Sequence, residues 1–182
     1  MNKKKIVLFI IIGIVIVILL LLLFIKKDDN KYEEKLINYI VDKGFVVDDA
    51  TIYKYSNNNF DSCTEENESN CESKSYFFNV GYYDYFMNER IKYDGVFHEF
   101  IPSYNYLTKD LRYTYHSSYN NGVIMYYGNY DGKDNFTCIN DYTYGINADK
   151  DIMCDYIKEK VISFYNEAEL FITDTYLLTN MK

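Results

Sequence analysis

The chain has 182 residues, of which 19 are basic and 27 acidic, for a net charge of −8. Five lysines precede residue 28, so residues 28–182 hold 14 basic and all 27 acidic side chains, a net charge of −13. A field of that sign repels nucleic acid and anionic headgroups, which excludes nucleic-acid partners and leaves cationic partners or divalent ions.

Residues 1–5 form a short leader that carries Lys3, Lys4 and Lys5. Ile6 to Ile25 are twenty consecutive apolar residues, with Gly13 among them and no charge. At about 1.5 Å of rise per residue a helix of that length crosses a ~30 Å hydrocarbon layer, so 6–25 reads as a transmembrane helix whose partner is the lipid bilayer. Leu19 to Phe24 lead straight into Lys26 and Lys27 with no small-residue cleavage site and no following Cys, the mark of an uncleaved signal-anchor. Gly13 stands alone, so no small-xxx-small pair supports helix dimerisation. Lysines flank both ends of the run. A basic leader before a first apolar segment, and the translocation of long domains regardless of charge, favour a cell-membrane protein with its C-terminal domain outside the cytoplasm. All four cysteines lie beyond the anchor, in keeping with that placement.

Residues 26–31 read as a linker and 32–182 as one extracytoplasmic domain. Asp28, Asp29 and Asn30 offer caps for a helix from Tyr32 to Lys43, with Glu33 and Glu34 in its first turn and Gly44 at its end. Its apolar stripe is Tyr32, Leu36, Ile37, Ile40 and Val41. A strand is expected near Thr51–Tyr55, then an acidic loop over 56–73 that holds Cys63 and Cys71.

From Lys74 the period is two. Tyr76, Phe78, Val80 and Tyr82 alternate with Phe77, Asn79, Gly81 and Tyr83, and a turn at Met87-Asn88-Glu89 leads to a partner strand with Ile91, Tyr93 and Phe97. Leu111, Tyr113 and Tyr115 against Arg112, Thr114 and His116 mark a half-buried strand. Asn121-Gly122 reads as a type I′ hairpin, Val123–Tyr130 as the return strand, Asp131-Gly132 as a second turn and Asn135–Ile139 as a third strand. A helix follows from Asp149 to Leu170, capped by Asn147 or Asp149, with Ile152, Tyr156, Ile157, Val161, Phe164, Tyr165 and Ala168 as its stripe. Phe171–Lys182 is expected to add an edge strand. The fold class is therefore α+β: an N-terminal transmembrane helix, then an antiparallel β-meander sheet flanked by two helices.

Four cysteines allow three pairings, of which Cys63–Cys71 with Cys138–Cys154 is the most local. No Cys-x-x-Cys appears and no ligand set has metal spacing, so no metal and no cofactor are expected. Nucleotide-binding, zinc-protease and serine-hydrolase motifs are likewise absent.

Tyrosine is the remaining resource. All 22 lie after residue 31, although AT-rich codon usage inflates such counts. Tyr82, Tyr83, Tyr85, Tyr126, Tyr127 and Tyr130 fall on adjacent strands and cannot all face one core, so they form the candidate binding site, suited to sugar rings or another protein. The expected function is that of a non-catalytic, membrane-anchored binding protein whose partner is a protein or cell-wall polymer. The alternatives are an envelope hydrolase that folds His98, His116 and carboxylates into one pocket, and a subunit of a membrane complex.

Overall fold

The computed structural model describes residues 3–48, 51–58, 71–93, 95–119, 122–145 and 150–181, with side chains for all of these except 3–11, 21–30, 57–58, 93 and 119. The chain divides into two compact units, Met1–Ile40 and Val41–Lys182.

The first unit is helical. Helix α1 runs unbroken from Lys3 to Asp42, so the expected linker 26–31 continues the helix rather than interrupting it. The described side chains from Ile12 to Leu20 are all exposed. Leu36 and Ile40, from the expected stripe, are fully buried, whereas Val41 is exposed. Among the described residues no helix is long and apolar enough to cross a membrane, and the apolar run 6–25 extends past the described side chains at both ends. The helix ends at Asp42 and is followed by Gly44, whose φ of +88° suits a residue without a Cβ and whose N–H returns to the Val41 carbonyl at 2.8 Å.

The second unit is an eight-stranded antiparallel sheet in which every strand pairs with its neighbour in sequence, β1 to β8. The strands are β1 (Val46–Asp48), β2 (Thr51–Asn58), β3 (Cys71–Asn79), β4 (Asp84–Tyr93), β5 (Val96–Asn105), β6 (Asp110–Tyr119), β7 (Gly122–Tyr130) and β8 (Ile139–Tyr144). Helices α2 (Lys150–Phe171) and α3 (Thr175–Asn180) follow, and α2 packs on β5 and β6. The fold is α+β, with a meander longer than the pattern over 111–140 implied.

Several local expectations are corrected. Met87-Asn88-Glu89 is not a turn but the middle of β4. The chain reverses at 80–83 instead, where Tyr83 takes a φ of +54° and the Asn79 side chain accepts the Tyr82 N–H at 3.2 Å. Gly122 is no turn centre, because it already pairs with Tyr119. The third strand is Ile139–Tyr144 rather than 135–139, where the Asp131-Gly132 turn is followed by a single bridge from Phe136 to Tyr130. That turn forms as expected, Asp131 accepting the N–H groups of Lys133 and Asn135 at 3.0 and 3.2 Å. The tail makes α3, not an edge strand, since Asp174 caps the N–H groups of Tyr176 and Leu177. Residues 59–70 of the acidic loop and the proposed caps Asn147 and Asp149 lie outside the described residues.

The core lies between α2 and one face of the sheet. From the expected stripe Ile157, Val161, Phe164 and Ala168 are buried, while Ile152 and Tyr156 are exposed. The facing strands contribute Phe78, Tyr85, Phe100, Tyr104, Leu111, Tyr113, Tyr115, Ile124 and Tyr126, all nearly inaccessible. Tyr85 stacks between Phe164 and Phe171 at centroid distances of 5.4 and 4.4 Å. The tyrosine hydroxyls reach past the ring layer to α2. Tyr85 donates to Glu167 at 2.9 Å, Tyr104 to Glu169, and Tyr106 to the Ala168 carbonyl at 2.6 Å. Burial, and then the charge of Glu167, push the Tyr85 hydroxyl far above its ordinary value, so it stays protonated and donates.

Among the described residues the buried carboxylate of this layer is Glu89. Glu89 of β4 pairs with Lys74 of β3 at 3.0 Å and with Lys160 of α2, whose ammonium also lies over the rings of Phe100 and Tyr156. Burial alone would raise this carboxyl, but the hydrogen bond and charge of Lys160, joined by Lys74, outweigh it and hold Glu89 below its ordinary value of 4.5. Folded Glu89 therefore binds fewer protons than in the unfolded chain. Its contribution to stability is complete above pH 4.5 and is lost as pH falls below that value. Glu89→Gln is expected to lower stability at neutral pH by about 1–3 kcal/mol and to flatten the acid limb of the stability profile. Denaturant titrations from pH 7 to 3 check this, and parallel wild-type and variant profiles would contradict it.

Candidate functional site

Strand alternation splits the aromatic residues between the two faces of the sheet. Of the six tyrosines singled out from sequence, Tyr85, Tyr126 and Tyr130 face α2 and are buried. Tyr82, 70% exposed, and Tyr83 occupy the β3–β4 turn. Tyr127 points from β7 to the opposite, outward face and is 43% exposed. The six are not brought together in one surface.

A different set is. On the outward face β7 and β8 pair Val123 with Tyr144, Met125 with Tyr142 and Tyr127 with Ile139. Met125, Tyr127, Ile139, Tyr142 and Tyr144 are each 39–62% exposed, a contiguous aromatic and apolar patch at the last two strands of the sheet. A register shift opposite Met125 and Tyr126 makes this patch possible. It leaves Asp141 as the extra residue, so Ile139 and Tyr142, three positions apart, face the same way. Strict period-two reading hides that, and the third strand expected at 135–139 hid it further. Alternation of Val123, Met125 and Tyr127 with the buried Ile124 and Tyr126 was the available signal.

Polar side chains border the patch. A groove of about 520 Å³ runs beside Tyr127 and Ile139 and is lined by Arg112, Thr114, Asn129 and Thr137. It adjoins a crevice of about 190 Å³ formed by Asp84, Ser103, Asn105 and Thr108, and the two share Asp110 and Arg112. The connection from β7 to β8 shapes the groove. Tyr113 donates to the Thr137 carbonyl at 2.8 Å, and Thr137 Oγ1 accepts the Asn129 N–H at 2.9 Å. Gly128 is required there, because a Cβ would collide with the Thr137 carbonyl. Asn105 orders the crevice, accepting the N–H groups of Leu107 and Thr108 at 2.9 Å and donating to Asp84 at 2.7 Å.

The middle of the outward face is half-buried and ionic. Arg90 lies 3.8 Å from Glu99 and over the Phe97 ring, and Phe97 meets His116 edge-on. His98 faces the other way, its Nδ1 2.7 Å from the Tyr115 hydroxyl. Burial, and then the charge of Lys160, hold His98 below its ordinary value, so it is neutral at pH 7. The two histidines thus occupy opposite faces of the sheet, and no shared His/carboxylate pocket forms from them. Among the described residues no group of three or more His, Cys, Asp or Glu could hold a metal ion.

Cys138 and Cys154 form a disulfide that ties the segment before β8 to the first turns of α2. Cys71 is also disulfide-bonded, and its expected partner Cys63 lies outside the described residues. Closing a loop of about 15 residues contributes about 3 kcal/mol in the chain-entropy view, here at the flank of the exposed patch.

No protein-family model, no curated protein and no solved structure matches the chain.

Proposed function

We propose that the protein is a non-catalytic binding protein anchored in the cell membrane by residues 6–25, with its sheet domain outside the cytoplasm. The outward face of β7 and β8 contacts a protein or envelope polymer. The observation that carries this reading is the patch of Met125, Tyr127, Ile139, Tyr142 and Tyr144, exposed together beside the Arg112 and Asp110 groove. Rigid amphipathic rings beside a few polar groups are what recognition surfaces use, because the rings bury large area at little entropic cost. The anchor reading is supported by the twenty-residue apolar run and by a helix whose described side chains Ile12–Leu20 are apolar and exposed on every side, an arrangement that calls for an apolar surrounding.

Two measurements test the proposal. The double variant Tyr127→Ala and Tyr142→Ala is expected to capture at least tenfold less partner from intact envelopes, with an unchanged melting temperature, since both side chains are exposed. Undiminished capture would remove the patch from the account. A reporter fused after Lys182 that functions only outside the cytoplasm is expected to be active, and activity of a cytoplasm-only reporter instead would reverse the topology.

A further inference from the structure

The sheet carries a second cavity, on the face opposite the patch. It holds about 460 Å³, within the range of small-molecule sites, and lies where β2, β3 and β4 meet the last turn of α2. Its walls are Lys43, Lys54, Phe45, Tyr76, Phe171 and Glu167.

Two of the charged side chains at this cavity, Lys54 and Glu167, are held by hydrogen bonds. Lys54 Nζ donates to the Lys43 carbonyl at 3.0 Å and sits 6.0 Å from the Phe45 ring centroid. Glu167 accepts from Tyr85 at 2.9 Å, and burial and then the charge of Glu167 raise the Tyr76 hydroxyl above its ordinary value. Tyr76, Tyr85 and Phe171 lie nearly parallel, with interplanar angles of 8° along the stack, and give the cavity an aromatic floor.

We infer that this cavity binds a small zwitterion, an anionic group and an alkylammonium a few atoms apart. The lysines receive the anionic end. Glu167 and the ring faces receive the ammonium, by charge and by the attraction of a cation to an aromatic face. The net charge of the ligand decides between the simpler options. A bare anion would enter against the −13 field of residues 28–182, and a bare cation would meet two lysines. A molecule that is neutral overall meets neither penalty and uses all three charged groups.

The test is isothermal titration of the full-length protein in a non-ionic detergent, with glycerophosphocholine and glycine betaine as probes and with inorganic phosphate and choline as controls. Saturable binding of at least one zwitterion at one site is expected, with phosphate and choline each at least about tenfold weaker, the loss of one charge-assisted contact. Lys54→Gln and Lys43→Gln are each expected to weaken the zwitterion by about tenfold. The Lys43 variant serves if removing the Lys54 bond to the Lys43 carbonyl disturbs the fold. Glu167→Gln keeps an acceptor for the Tyr85 hydroxyl and is expected to weaken binding about threefold or more. Tighter binding in Glu167→Gln, or phosphate binding as tightly as glycerophosphocholine, would overturn the inference in favour of a plain anion site. Absence of binding by either zwitterion would overturn it outright. Free ligand and lipid headgroup separate by adding phosphatidylcholine vesicles as a competitor: displacement of the soluble probe assigns the headgroup, and its retention assigns the free molecule. Because the cavity and the β7–β8 patch lie on opposite faces, failure here leaves the patch untouched.

Discussion

The structure of residues 41–182 rests on one helix, α2, packed on one face of an eight-stranded sheet. Strands spaced about 4.8 Å apart make such a sheet roughly 34 Å wide, and a helix with its side chains covers only about 10 Å of it. Large rings thicken the layer, and Tyr85, Tyr104, Tyr106, Tyr115 and Tyr126 are buried in it. Their hydroxyls then need partners, and α2 supplies Glu167, Glu169 and the Ala168 carbonyl. Much of the tyrosine content is thus explained by packing before any ligand is considered.

The same constraint divides the surface by function. The face under α2 is committed to packing, and its buried carboxylate, Glu89, is neutralised by Lys74 and Lys160 rather than left to react. The outward face has no such duty at β7 and β8, and its aromatic side chains there remain in solvent. The disulfide from Cys138 to Cys154 and the collision-prone Gly128 fix the segment that leads into β8. Both hold the patch at a defined register instead of leaving a loose last strand.

Legibility in the sequence followed the strength of local periodicity. β6 and β7 were readable because Leu111, Tyr113 and Tyr115 alternate cleanly with Arg112 and Thr114, and α2 because its stripe repeats at helical spacing. β4 is hidden because Asn88 and Glu89 look like turn residues, and the long-range pairing of Glu89 with Lys74 and Lys160 compensates its charge inside the strand. β8 was misplaced because a bulge breaks period two. The exposed patch is legible in one residue, Tyr127, since exposure depends on which face the helix covers, a fact absent from any local window. The cavity at Lys54 and Glu167 joins residues more than a hundred positions apart, and no sequence pattern announces it.

Nitration of tyrosines by tetranitromethane, mapped by peptide mass spectrometry on the purified full-length protein, tests the division of the two faces most directly. The account predicts fast modification of Tyr127, Tyr142 and Tyr144 and protection of Tyr85, Tyr104, Tyr115 and Tyr126. Equal modification of the two groups, or protection of Tyr127, Tyr142 and Tyr144 in the isolated protein, would contradict it.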